Sequence, residues 1–128
     1  MFREDFVWGV ASSAYQVEGT DAADGRGACV WDMFAADGRV FEHQNADTSC
    51  DHMHHYKEDI ALMKHLGIRA YRFSLNWARI LPEGTGRVNE KAIAMYRDMI
   101  LTMKENGITP YLTLFHWEFP QALYERGG

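Results

Sequence analysis

The feature that most constrains the fold is a hydrophobic period that switches between helix and strand along the second half of the chain. Residues 68–75 alternate, with Tyr71, Phe73 and Leu75 set against Arg72 and Ser74, which is a strand with different chemistry on its two faces. Before it, Met53, Tyr56, Ile60 and Met63 recur at three- and four-residue intervals, and after it Ile93, Tyr96, Ile100 and Met103 do the same. Each set forms one helical stripe. Asp51 is placed to cap the first helix and Gly67 to end it; Asn89 and Gly107 have the same places on the second. Residues 109–115 read as a further strand, with Pro110 at its entry, where a missing N–H does least harm. An apolar run at residues 6–11, ended by Ser12 and Ser13, reads as a first strand.

Two strands with one helix between them make a βαβ unit, so the expected class is α/β with about three parallel strands and two main helices. Residues 12–49 are different, being rich in Gly, Asp and Ala, with at most a short helix near residues 31–34. A loop of that length in a compact domain is functional or is a misread element. No low-complexity linker, like-charge block or repeat divides the 128 residues, which we read as a single unit spanning 1–128.

Charge and composition narrow the partners. A net charge of -5 argues against a surface that neutralises phosphates, so no nucleic acid and no anionic membrane is expected as a partner. No apolar run reaches the about 18 residues of a membrane span, and the first residues lack the order of a signal peptide, so a cytoplasmic location is expected. Cys29 and Cys50 have no CxxC spacing and are expected as free thiols. The ligand-dense stretch at residues 50–55 contains His52 and His55, three apart on a helix, but a metal site needs a further ligand. No metal and no cofactor is expected.

Parallel strands put their exit loops on one face, where α/β folds bind ligands. Three loops are expected there: one with Tyr15, Gln16 and Glu18, one with Asn76 and Trp77, and one with His116, Trp117 and Glu118. Gln16 and His116 supply donors and acceptors for the hydroxyls of a pyranose, and Trp117 or Trp77 an aromatic surface for its apolar face. Read without further context, Gln16 is an ordinary loop amide, and Trp8, Trp31 and Trp77 are packing residues.

Residues 6–19, reading FVWGVASSAYQVEG, and residues 116–121, reading HWEFPQ, resemble two parts of one sugar pocket in family 1 of the glycoside hydrolases, the β-glucosidases and their relatives. The resemblance extends through Lys57-Glu58-Asp59-Ile60, Tyr71-Arg72-Phe73-Ser74 and Arg79-Ile80-Leu81-Pro82, in order and in spacing. It implies that the strands are the N-terminal part of a (β/α)₈ barrel, incomplete at this length because a closed barrel takes about 250 residues. It also implies that Gln16, His116 and Trp117 bind the sugar, and that Arg72 lies beside the nucleophilic glutamate and keeps it ionised. A buried arginine in an apolar strand would otherwise be costly.

By that resemblance the reaction is retaining hydrolysis of β-glucosides, with two glutamates about 5 Å apart. In the family those glutamates follow the fourth and seventh barrel strands, so neither is assigned here and the chain alone is expected to be inactive. Glu18 and Glu118 are read as scaffold acids, although Glu118 departs from the aspartate usual at its place. Phospho-sugar hydrolases of the family tend to have Asn at the position of Tyr15 and Phe at that of Trp117, so the sequence leans towards unphosphorylated glucosides. The alternatives are a 6-phospho-β-glucosidase fragment, or a sugar-binding or self-associating module whose copies cover each other's open strand edges.

Overall fold

The computed structural model describes residues 2–20 and 22–128. Three parallel strands form one sheet in the order β1 (Gly9–Ala11), β2 (Ala70–Ser74), β3 (Thr109–Thr113). Gly9 is in register with Ala70, and Ser74 with Thr113, so the three C-terminal strand ends lie together. Between β1 and β2 run α1 (Ala14–Val17), α2 (Val30–Ala36) and α3 (His52–His65). Between β2 and β3 run α4 (Trp77–Ile80) and α5 (Glu90–Glu105), and α6 (Gln121–Tyr124) follows β3. The α/β class and the parallel order are those expected from the period switches.

The two long helices cover one face of the sheet. Ile60, Tyr71, Phe73, Tyr96, Met99, Met103 and Ile108 form the core there, with Tyr56, Met63, Leu75 and Ile100 packed around it. Burying each side chain of this size stabilises the fold by about 1.5–3 kcal/mol. The alternation in β2 appears in part: Tyr71 and Phe73 enter the core and Arg72 is exposed on the opposite face, while Ala70 and Ser74 are buried as well. Arg72 projects from the sheet face opposite the core, the face that an incomplete barrel leaves open.

The stripe on α5 is rotated from the predicted one. Ala92, Tyr96, Met99 and Met103 are buried, while Ile93 remains 41% exposed. Both sets satisfy a helical period, and contact of α5 with α3, α4 and β3 selects between them. Asn89 caps α5 as expected, its side chain accepting from the Ala92 amide. Asp51 does not cap α3: it takes a left-handed φ of 51°, and its carboxylate pairs with His54 Nδ1 at 2.6 Å instead.

β1 is shorter than its apolar run. Residues 6–8 lie outside it, and Phe2, Phe6 and Trp8 contact one another in an exposed aromatic cluster. Gly9 permits the close approach of β1 to β2, since a Cβ there would stand 2.8 Å from the Ala70 carbonyl oxygen. Residues 12–49 are also more ordered than the sequence suggested. They hold α1 and α2 and two short 3₁₀ turns at Ala22–Asp24 and Phe41–His43. Pieces of three to seven residues are too short to display a period, so their order comes from contacts with the rest of the chain.

Candidate functional site

Beyond the C-terminal ends of the strands lies an open cavity of about 440 Å³. Gln16 and Tyr15 reach it from α1, His116, Trp117 and Glu118 from the loop after β3, and Trp31 from α2. The three residues predicted to read a sugar therefore line one space, although about a hundred positions separate Gln16 from His116 in the chain. Topology does this: parallel strands deliver successive exit loops to the same edge.

The wall carries matched chemistry. Gln16 and His116 offer amide and imidazole groups, joined by the side-chain amides of Gln44 and Asn45 from the long loop. Burial, with the nearby Asp32 carboxylate adding to it, pushes the Tyr15 hydroxyl up to about 12, so it stays protonated as a donor and acceptor. Trp31 and Trp117 supply aromatic surface, 41% and 68% exposed. Trp117 has a φ of 75°, a left-handed conformation rare for a bulky side chain. Such strain persists only where the surroundings fix the backbone, and here they do. The Phe119 amide donates to the Trp117 carbonyl at 2.8 Å, and the Val30 amide to the Phe119 carbonyl at 2.9 Å.

Not every predicted residue joins this cavity. Asn76 is buried, its side chain accepting from the Arg79 amide at the start of α4. Trp77 donates from Nε1 to the Gly84 carbonyl at 3.0 Å and meets Phe115 and Phe119 edge-on, which makes it a packing residue. Arg72 stands on the exposed face of β2, where Nη1 donates to the Ser12 carbonyl at 3.4 Å. Trp31, read from sequence as packing, lines the cavity instead. Its signal was its place in a long polar loop of an α/β chain, where functional segments concentrate.

A second polar cluster, largely buried, stands apart from this cavity. Arg79, 1% exposed, donates from Nε to Glu18 at 3.1 Å and from Nη2 to the Gly19 carbonyl at 2.9 Å, and it also pairs with Asp24. The other Glu18 oxygen accepts from the Tyr96 hydroxyl at 2.7 Å, which in turn accepts from the Asn76 amide. Burial raises the Glu18 carboxyl above its ordinary range, opposed by the Arg79 guanidinium and the Tyr96 hydroxyl. Glu18 thus anchors the loop that carries Gln16 to α4 and α5.

The histidines at the start of α3 are paired separately. His52 is buried with Nδ1 2.5 Å from Asp59, and His55 has Nδ1 2.9 Å from Glu58. Among the described residues no three or more His, Cys, Asp or Glu side chains are placed to share a metal ion. Cys29 and Cys50 are both free thiols, one buried and one exposed.

The geometry agrees with what the chain is similar to. The Thermotoga maritima β-glucosidase A is 49% identical over 128 residues, covering 99% of this chain and 29% of its own length. β-Glucosidase A of Acetivibrio thermocellus is 47% identical with the same coverage, and an aryl-phospho-β-D-glucosidase of Bacillus subtilis is 45% identical. The solved family 1 β-glucosidase of T. maritima superposes with a TM-score of 0.95 over 99% of this chain and 29% of that one. The three strands are thus the N-terminal part of a TIM barrel, and the chain spans about 29% of the length of these relatives. The model of glycosyl hydrolase family 1 matches residues 1–128, and the chain belongs to that family.

Proposed function

We propose that this chain forms the glycone-binding portion of a retaining β-glucosidase catalytic domain, and that Gln16, His116 and Trp117 hold the sugar. The observation that carries the reading is the convergence of these three side chains on one cavity from loops that follow different strands. Gln16 and His116 exchange hydrogen bonds with sugar hydroxyls, while Trp117 and Trp31 lie against the apolar face of the ring. T. maritima β-glucosidase has been solved with glucoimidazole and with castanospermine, which supports a glucose-like occupant. Arg72 faces away from the core with one long hydrogen bond among the described residues, and it holds a carboxylate supplied by another part of the barrel.

The reaction would be a double displacement. One carboxylate attacks the anomeric carbon while a carboxylic acid protonates the departing oxygen; water then releases the sugar. In the family pattern neither carboxylate falls in these 128 residues, and the isolated chain is expected to show no turnover. Left alone it has two open strand edges, β1 and β3, which support association between copies. Two free thiols support a cytoplasmic setting, and among the described residues no helix is long and apolar enough to cross a membrane.

The test is a graft in which residues 1–128 replace the matching segment of the T. maritima β-glucosidase. It is assayed on an aryl β-glucoside and on the corresponding 6-phospho-glucoside. Turnover of the unphosphorylated substrate, abolished or reduced by Gln16→Ala, supports the reading. Preference for the phosphorylated substrate transfers it to the 6-phospho class. An active graft indifferent to both Gln16→Ala and His116→Ala refutes the assigned binding residues.

A further inference from the structure

The short helix that presents Tyr15 and Gln16 is capped from outside its own segment. Ser13 stands at the N-cap of α1 with extended backbone, yet its side chain makes no capping bond. The first two amides of the helix are taken up elsewhere: Ala14 N donates to Ser74 Oγ at 2.7 Å, and Tyr15 N donates to Glu118 Oε1 at 3.0 Å. Ser74 Oγ also donates to the same Glu118 oxygen at 3.5 Å. One buried carboxylate oxygen therefore joins the loop after β1, the end of β2 and the loop after β3. Glu118 is 1% exposed, and its Oε2 has no partner among the described residues. Burying a carboxylate is costly unless hydrogen bonds or a counter-charge offset its lost hydration, and the bonds Glu118 accepts run between the two loops that carry Gln16 and His116.

We propose that Glu118 is a positioning residue that clamps α1 to the His116–Trp117 loop and so fixes the spacing of the sugar-reading groups. The proposal rests on the sugar-binding reading for its purpose, while the clamp itself is a matter of hydrogen bonding. A carboxylate accepts from the N-terminal amides of a helix favourably, since those amides lack partners within the helix. Because Glu118 sits between Trp117 and Phe119, whose carbonyls accept from the Phe119 and Val30 amides, any drift of α1 is resisted by the same element that carries the other half of the cavity wall. Only an acceptor at the Oε1 position is required, so glutamine preserves the clamp, whereas alanine and leucine, which have no acceptor, release it.

Two readouts test this. In the full 128-residue chain, amide exchange at Tyr15 is compared with that at Met99 and Met103, which report the core. Glu118→Ala and Glu118→Leu are expected to speed exchange at Tyr15 by roughly tenfold with the core amides unchanged, and Glu118→Gln to restore slow exchange. In the graft, glucoimidazole affinity is expected to fall roughly tenfold in Glu118→Leu and to recover in Glu118→Gln. If Glu118→Ala loosens the core as well, the Leu and Gln pair decides. Fast exchange at Tyr15 in the unsubstituted chain, or slow exchange retained in Glu118→Leu, overturns the clamp. Slow exchange lost in Glu118→Leu without any change in affinity overturns its positioning role. A graft whose affinity is indifferent to Gln16→Ala instead overturns the sugar reading, and the exchange result still judges the clamp.

Discussion

Arg72 and Arg79 lie on consecutive elements of the chain, yet one is sealed in the interior and the other stands open. Arg79 has Glu18, Asp24 and the Gly19 carbonyl around it and is 1% exposed. Arg72 is exposed, with one long bond to the Ser12 carbonyl. The difference lies in how many donors each guanidinium has engaged. Arg79 ties residues 18–24 to α4 through all three of its guanidinium nitrogens, whereas the exposed Arg72 guanidinium has donors open to a further group.

The largest expected effect comes from breaking the buried Arg79 cluster. Arg79→Met leaves Glu18 buried without its counter-charge and should cost about 3–5 kcal/mol, measured by urea unfolding of the graft. Arg72→Met should leave the urea midpoint almost unchanged while sharply lowering turnover; equal losses of stability in the two variants would erase the distinction. Next in size, His116→Ala or Gln16→Ala in the graft should lower kcat/KM by about a hundredfold, as expected for losing a hydrogen bond of about 2.7 kcal/mol, with stability within about 0.5 kcal/mol of the parent.

Trp117→Gly sharpens the comparison from the other direction. Glycine adopts a φ of 75° without strain, so thermal unfolding should show a gain of about 1 kcal/mol, while the loss of aromatic surface weakens sugar binding. A loss of stability instead would mean that contact with Phe115 outweighs the backbone strain. The smallest intervention is chemical labelling. Burial, followed by the Asp32 carboxylate, pushes the Cys29 thiol up to about 11, whereas Cys50 is exposed beside Ser49 at the cavity. Brief treatment with iodoacetamide should therefore label Cys50 alone, as read by peptide mass. Equal labelling would show that the region around Cys29 opens readily.

Legibility in the sequence varied with the length of each element. α3, α5, β2 and β3 were visible because each repeats its period long enough to be recognised, and the Asn89 cap followed from its local bond. α1 and the 3₁₀ turns were not, because their backbone bonds are completed by distant residues such as Ser74 and Glu118. The cavity was legible through Gln16, His116 and Trp117, which the family resemblance singled out and which line one space. Trp31 escaped notice because a tryptophan in an aperiodic loop looks the same whether it packs or lines a pocket. Trp77 follows β2 on the ligand-facing side, yet on its own residues it reads as packing, and its indole does pack, donating to the Gly84 carbonyl.

The sequence by itself determined the α/β class, the parallel order and the family, because periods and motif spacings are local patterns carried along the chain. Tertiary structure decided which arc of α5 is buried, which arginine is sealed and which tryptophan meets the cavity. Those outcomes depend on what stands opposite each side chain, and the opposing groups come from positions that no local pattern connects.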